Sequence, residues 1–524
     1  MSARTTRETS CPLVPRACAA LLIGLLLMTL PALAQERPQP AGPDLIYYDY
    51  VEAGKLRGGR VPSEPGNPLL SLVAPDRRLG GAPWVALIEN GPPANRVDIA
   101  VVGDGYQESE LPRYAQHVDD FVMAFFAEPP LDAYASFFNV YRVEVVSNDS
   151  GVDHDPTYPL WRDTAIDMGF YCGGIERLLC VNVGKALGFA DSAPGRDLVL
   201  AVANSSKYGG AGYSDLATFA GANSSAFEIA LHEIGHSLPG LADEYDYGDG
   251  STWRGGEVPE ANISIYEADE MASRQTKWHL WLDEPNVDTY EGGRYYQYGL
   301  FRPTVNSKMR SLGRPFEQVN VEQFILEFYR YVRPLDDATP AGTYFGEETV
   351  LSVTPVHPVT HDLTIQWTLD GTDLPGQNDP DLVVATLGLE PGRYSIGVRV
   401  ADETPWVRDE TARAALMTDE RAWTVVVPEF ALLAEPDPAY AGDTLRLTLL
   451  GGETGSPVVL FVATINGSPA YLLIGRGTTN AEREWTLTGT VPPGLAGLDV
   501  EFIGYGIVPP GTVRASNLAA VHFQ

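Results

Sequence analysis

The stretch 224–247, SSAFEIALHEIGHSLPGLADEYDY, constrains this chain more tightly than any other, because its polar residues share a purpose only on a helix. Ser225 followed by Glu228 has the form of a capping box, so a helix is expected to begin there. Phe227, Ala230, Leu231, Ile234 and Leu238 give that helix an apolar face. His232 and His236 are four residues apart, which puts both imidazoles on one side, a turn apart. Two imidazoles so placed can bind one tetrahedral zinc at about 2.0–2.1 Å. Glu233, beside them, is placed to act as general base toward a water. Pro239-Gly240 then ends the helix, with Gly240 supplying a left-handed turn that reverses the chain.

A zinc held this way needs a third protein ligand. Asp243 and Glu244 follow the turn directly. In the metzincin motif HExxHxxGxxH the third ligand stands three residues after the turning glycine. Here the glycine falls one position later, and the same offset lands on Asp243, with Glu244 the alternative. A glutamate from a later helix, such as Glu257, Glu260, Glu267 or Glu270, would instead make a thermolysin-like site. The acid that is not a ligand would support the site or join Asp246 and Asp249 around a calcium ion.

At 524 residues the chain exceeds a single core, and its patterning changes along its length. Residues 1–34 read as a signal peptide: Arg4, Arg7 and Arg16 precede the apolar run from Ala19 to Leu30, and Ala32-Leu33-Ala34 offers a cleavage site. Residues 35–94 read as a leader and a small β-rich N-terminal module. From 95 to 335 strands alternate with helices, which indicates an α/β or α+β catalytic core. Val97–Val102 is an apolar strand closed by Gly103-Asp104-Gly105, where Asp104 is expected to cap the turn, the alternative being that it orients the site. Residues 110–127 and 319–333 have helical spacing, and Phe138–Val146 and Asp197–Ala203 read as strands. Beyond 336 the chain is rich in Thr, Val, Pro and Gly, with alternating strands and frequent turns, as in β-sandwich modules. Two such accessory domains are expected, 336–428 and 429–524.

The net charge of −33 excludes a nucleic-acid binder, which needs a basic footprint, and suits a soluble exported protein. Export places the protein in the periplasm or outside the cell, where the nearby pair Cys172 and Cys180 is expected to form a disulfide closing a short loop. No later stretch is apolar enough to span a bilayer. His154 and His279 read as surface or hydrogen-bonded histidines, and Asn262-Ile263-Ser264 as a chance sequon.

HEIGHSLPGLADEY, with VDIAVVGDGY near the domain start and LVLAVANSSKYGGAG before the helix, resembles the IgA-peptidase family of secreted zinc metallopeptidases over about residues 95–333. The resemblance implies a metzincin-like core in which a methionine turn underlies the metal, and Met309 is the matching residue. It also implies an edge strand that pairs with an extended substrate. The matching element is Leu198–Ala203, presenting Leu198, Leu200 and Val202, with Tyr208, Gly209 and Gly210 after it. The family's cysteines around the methionine turn do not occur here. The expected activity is zinc-dependent hydrolysis of peptide bonds in a protein or peptide substrate. The second expectation is a surface-binding protein that uses the peptidase fold and β-domains for adhesion.

Overall fold

The computed structural model describes residues 45–524 apart from 53–54, 64–66, 68, 70–73, 80, 347, 391, 428–429 and 509–510. The expected signal peptide and most of the leader lie outside these residues. One mixed sheet organises the part of the chain that carries the HEIGH helix. Its strands are β1 (Leu45–Glu52), β2 (Lys55–Pro62), β3 (Trp84–Ile88), β4 (Val97–Asp104), β5 (Phe138–Val143), β6 (Leu198–Ala203), β7 (Gly210–Gly212) and β8 (Leu216–Ala220), in the spatial order β2-β1-β7-β8-β6-β4-β5-β3. The inner strands β5, β4, β6 and β8 run parallel, while β7 turns back antiparallel to β8 and β1 lies antiparallel along β7.

The inner strands are apolar without interruption because both faces are covered. Along β4, Val97, Ile99 and Val101 face a core shared with helices α1 (Leu111–Phe125) and α3 (Ala226–Ser237). Ala100 and Val102 face the opposite core, built with α2 (Val183–Ala190). The two-residue period of a strand produces this division. Asp104 is wholly buried at the end of β4 and accepts from the amides of Ile166 (3.0 Å) and Met168 (2.7 Å) and from the Ser147 hydroxyl (3.1 Å). It anchors the long 147–168 excursion rather than merely capping its own turn. Within that excursion His154 packs against Tyr158 and Trp161. Farther along, the disulfide Cys172–Cys180 closes the short loop expected for it.

Two expectations need correction. The N-terminal residues form no separate sheet among the described residues. The β1–β2 hairpin extends one edge of the main sheet, and β3 forms the other edge. Leu198–Ala203 is no edge strand either. It is β6, hydrogen-bonded to β4 on one side and β8 on the other, so its backbone has nothing left to offer a peptide. Leu198, Leu200 and Val202 point into the core with α1 and α3. A continuous apolar run marks burial on both faces, which is the opposite of an edge.

Downstream, residues 335–427 and 431–522 each fold as a three-stranded and a five-stranded sheet. The second segment has its own core. The first shares one with α1, α3 and the last helix, Gln318–Tyr331: Leu351, Trp367 and Trp423 belong to the same apolar cluster as Phe121, Ile234 and Phe328. No helix among the described residues is long and apolar enough to cross a membrane.

Asp402 fastens this joint. It is wholly buried, and its carboxylate accepts from Tyr134 Oη (2.7 Å), Tyr329 Oη (2.8 Å) and the Thr404 amide (2.8 Å), with His361 Nε2 at 3.0 Å. Asp402→Ala strands two buried phenols without an acceptor. It is expected to lower unfolding stability by about 2–4 kcal/mol in a denaturant titration. A loss under about 1 kcal/mol would show that the joint does not depend on this carboxylate.

Candidate metal centre

Helix α3 starts at Ala226 and buries nearly its whole length against the sheet. Ser225 makes no side-chain cap bond, so the expected capping box does not form. Glu228 turns outward instead, accepting from Lys308 Nζ (2.7 Å) and the Gly313 amide (2.8 Å). This ties the helix to the 307–313 turn. Gly240 has φ +67°, the left-handed turn expected after the helix. The reversed chain then runs back past the two histidines. The Glu244 amide donates to Met309 O (2.8 Å) and the Arg294 amide to Asp243 O (2.8 Å), clamping residues 243–244 from both sides.

Four buried side chains converge here: His232, His236, Asp243 and Asp49, with one ligand atom from each lying within 4.8 Å of the others. The two Nε2 atoms are 3.2 Å apart. Asp243 Oδ1 is 3.1 Å from His232 Nε2 and 3.4 Å from His236 Nε2. Asp49 Oδ2 is 3.1 Å and 3.8 Å from the same two atoms. Each imidazole is oriented from behind, His232 Nδ1 by Lys308 O (2.9 Å) and His236 Nδ1 by Leu241 O (2.7 Å). A carbonyl only accepts, so both Nδ1 atoms carry protons and both Nε2 atoms face the centre. The carboxylates are held likewise, Asp243 by Tyr295 Oη (2.5 Å) and Asp49 by Tyr245 Oη (2.6 Å).

The electrostatics ask for positive charge at this point. Burial opposes protonation of His232, yet Asp49 and Asp243 raise its pKa well above that of a free imidazole. Burial opposes His236 too, but Asp243 and its hydrogen bonds raise it to about 10. Burial would raise Asp243, whereas His236 and His232 hold it well below the usual carboxylate range. A cation among the four atoms answers the same demand, and two imidazoles with carboxylate oxygens form a zinc-type donor set. The residues present therefore fit a metal.

Glu233 lies next to this cluster and is fully buried, yet neither carboxylate oxygen has a hydrogen-bond partner among the described residues. Burial pushes its carboxyl well above the usual range, and Asp49 adds to the rise. Its carboxylate faces β7: a Cβ built on Gly212 would stand 2.9 Å from Glu233 Oε2. The Tyr208 hydroxyl is also buried without a hydrogen-bond partner among the described residues. Burial raises its pKa, and the charges of Asp49 and Glu233 raise it further.

Other expected residues take supporting places or none. Glu244 is buried but faces away, accepting from Ser307 Oγ (2.7 Å), Asn320 Nδ2 (2.8 Å) and Asn262 Nδ2 (3.1 Å). Asn262 is therefore a buried strut and no glycosylation site. Glu260 pairs with Arg294, while Asp246 and Asp249 accept from the amides of Gly248 and Ser251 rather than gathering around a cation. Met309 is fully buried under the helix, its Sδ 2.6 Å from where a Cβ on Gly235 would lie. Gly210 begins β7, where a Cβ built on it would stand 3.6 Å from Glu233 Cγ, whereas one built on Gly209 would meet Arg177 O and the Phe170 ring. Asp49, Tyr245 and Tyr295 were not anticipated from the sequence. The one signal for Asp49 is an acid inside the otherwise apolar and aromatic strand LIYYDYVE.

Two imidazoles and two buried carboxylates around one centre make this a candidate metal site. Residues 85–286, about two fifths of the chain, match the family model described as IgA Peptidase M64. The stretch contains His232, Glu233, His236 and Asp243; Asp49 and Met309 fall outside it. No curated protein matches the chain. Solved structures similar to parts of it include the D00-D0 domain of Intimin (14% identity, 35% of this chain and 96% of that one, TM-score 0.13). Another is a Ca2+-stabilised adhesin with which an Antarctic bacterium binds ice (14% identity, 36% of this chain and 50% of that one, TM-score 0.13). A third is a tetra-tandem repeat of a large adhesion protein (15% identity, 33% and 45%, TM-score 0.14). Scores this low carry no argument about the present chain.

The geometry separates the two candidate acids. Asp243→Ala is expected to weaken metal binding by more than about 100-fold, beyond the usual cost of losing an outer partner, in a competition titration against a chelator. Glu244→Gln is expected to keep the metal within about tenfold of wild type. The reverse order would assign the ligand to Glu244.

Proposed function

We propose that the protein is an exported zinc-dependent endopeptidase in which His232, His236 and Asp243 hold the metal and Glu233 is the general base. The observation that carries this reading is the pairing of a convergent four-donor cluster with an adjacent buried glutamate that lacks any hydrogen-bond partner among the described residues. Zinc bound at those donors would supply the positive charge that polarises a peptide carbonyl and makes a nearby water more acidic.

The chain's own residues supply the rest. Glu233 takes a proton from the attacking water and passes it to the leaving amine. Both of its oxygens are buried without a hydrogen-bond partner among the described residues, which leaves them to take up and return that proton. Tyr208 provides a neutral phenol able to donate to the oxyanion that develops on the substrate. Lys308 O and Leu241 O keep the imidazoles in the metal-binding tautomer, and Met309 supports the helix beneath them. β7 is paired with β8 on one side and β1 on the other, so an extended peptide could lie along its backbone, close to Glu233, only in place of β1.

Glu233→Ala should leave metal content equal to wild type while lowering cleavage of a denatured protein substrate by about 10²–10⁴-fold, in keeping with loss of a general base. Full metal content with undiminished cleavage would overturn the assignment.

A further inference from the structure

The edge of β7 is already taken, by the chain itself. β1 lies antiparallel along it, with Tyr47 opposite Gly212. Two residues on, Asp49 reaches the centre of the cluster, 1% exposed, with Oδ2 3.1 Å from His232 Nε2 and Oδ1 held by Tyr245. The Tyr47 ring stacks on the imidazole of His236 at 4.3 Å. On the partner strand β2, Arg57 and Arg60 stand over the rings of Tyr247 and Tyr295, at 5.4 and 5.9 Å. Gly58, opposite Asp49, lets the hairpin close onto the site: a Cβ there would meet Tyr48 O at 2.0 Å and the Tyr245 hydroxyl at 2.6 Å.

A peptide substrate needs the β7 edge for its backbone, and its reacting carbonyl needs a place beside Glu233 and the histidines. β1 fills the first, and the Asp49 carboxylate fills the second. What β1 offers the site is a side-chain carboxylate, which cannot be hydrolysed, and not a backbone carbonyl. The hairpin also lies outside the stretch matched by the family model, whereas the other three donors lie inside it. On the metallopeptidase reading given above, we infer that residues 45–62 are a built-in occupant of the substrate cleft, with Asp49 closing the metal's remaining position. The enzyme is latent until this hairpin is displaced. Because the occupant is tethered, it competes at an effective concentration in the millimolar range for a short link, enough to outcompete a dilute peptide.

The test uses the full chain in three forms: wild type, Asp49→Ala, and Gly58→Val, which retains all four donor residues but keeps the hairpin from closing and so holds Asp49 away from the other three. Each is loaded with cobalt(II), and its visible absorption spectrum, cobalt stoichiometry and cleavage of a denatured protein are recorded. Both variants are expected to keep one bound cobalt, to share a spectrum distinct from wild type, and to cleave at least about tenfold faster. If Asp49→Ala loses the metal, or its spectrum is unchanged, Asp49 is a permanent structural ligand or no ligand, and the inference is overturned. If both spectra change but no form cleaves, Asp49 does close the metal's position and the peptidase reading is what fails.

Discussion

Two aspartates and two histidines share a buried space, and much of the surrounding structure serves to keep them there. Gathering such groups in a buried pocket is costly unless each is oriented and a positive charge sits between the carboxylates. The protein meets the first condition with four separate restraints. Backbone carbonyls of Lys308 and Leu241 turn the imidazoles, and the phenols of Tyr295 and Tyr245 hold the carboxylates. The four come from three regions: the 307–313 turn, the reversed segment after α3, and the hairpin Val287–Gly293/Tyr296–Thr304 with its connecting residues. The site is thus a junction of distant segments, and the sheet and α3 are the frame on which they meet.

The sheet supplies the other half of the chemistry. Its parallel strands are covered on both faces, and Glu233 faces the side where β7 turns antiparallel. There the residues shrink to Gly-Ala-Gly, and β1 lies along them with Tyr47 opposite Gly212. A strand laid on that edge is positioned by backbone hydrogen bonds, which tolerate many sequences. The same tolerance explains how a segment of the protein itself can occupy the edge.

What could be read from the sequence follows the range of the interactions involved. The helix, its two histidines, Glu233, the Gly240 turn and Asp243 lie within about one turn and a loop of each other, so spacing alone relates them. Met309 was reached through the family resemblance, and the structure places it under Gly235. Asp49, Tyr245 and Tyr295 are joined by tertiary contacts across as many as 196 residues, and no local pattern encodes such a contact. The misplacement of the edge strand has a plainer cause. Leu198–Ala203 is the more strand-like sequence, and strand-like sequence signals burial, whereas the sheet's outermost strands are β2 and β3. The first C-terminal β segment was recognisable from its alternation, but its shared core with α1 and the last helix depends on which faces meet, and one chain's pattern does not specify that.

The central claim is that the four buried donors form one metal centre with two imidazoles. Zinc-edge X-ray absorption on the zinc-loaded full chain tests it most directly. A first shell of four nitrogen and oxygen atoms at about 2.0–2.1 Å is expected, with outer-shell scattering from two imidazole rings. A single imidazole, a sulfur neighbour, or a six-coordinate shell of oxygens would contradict it.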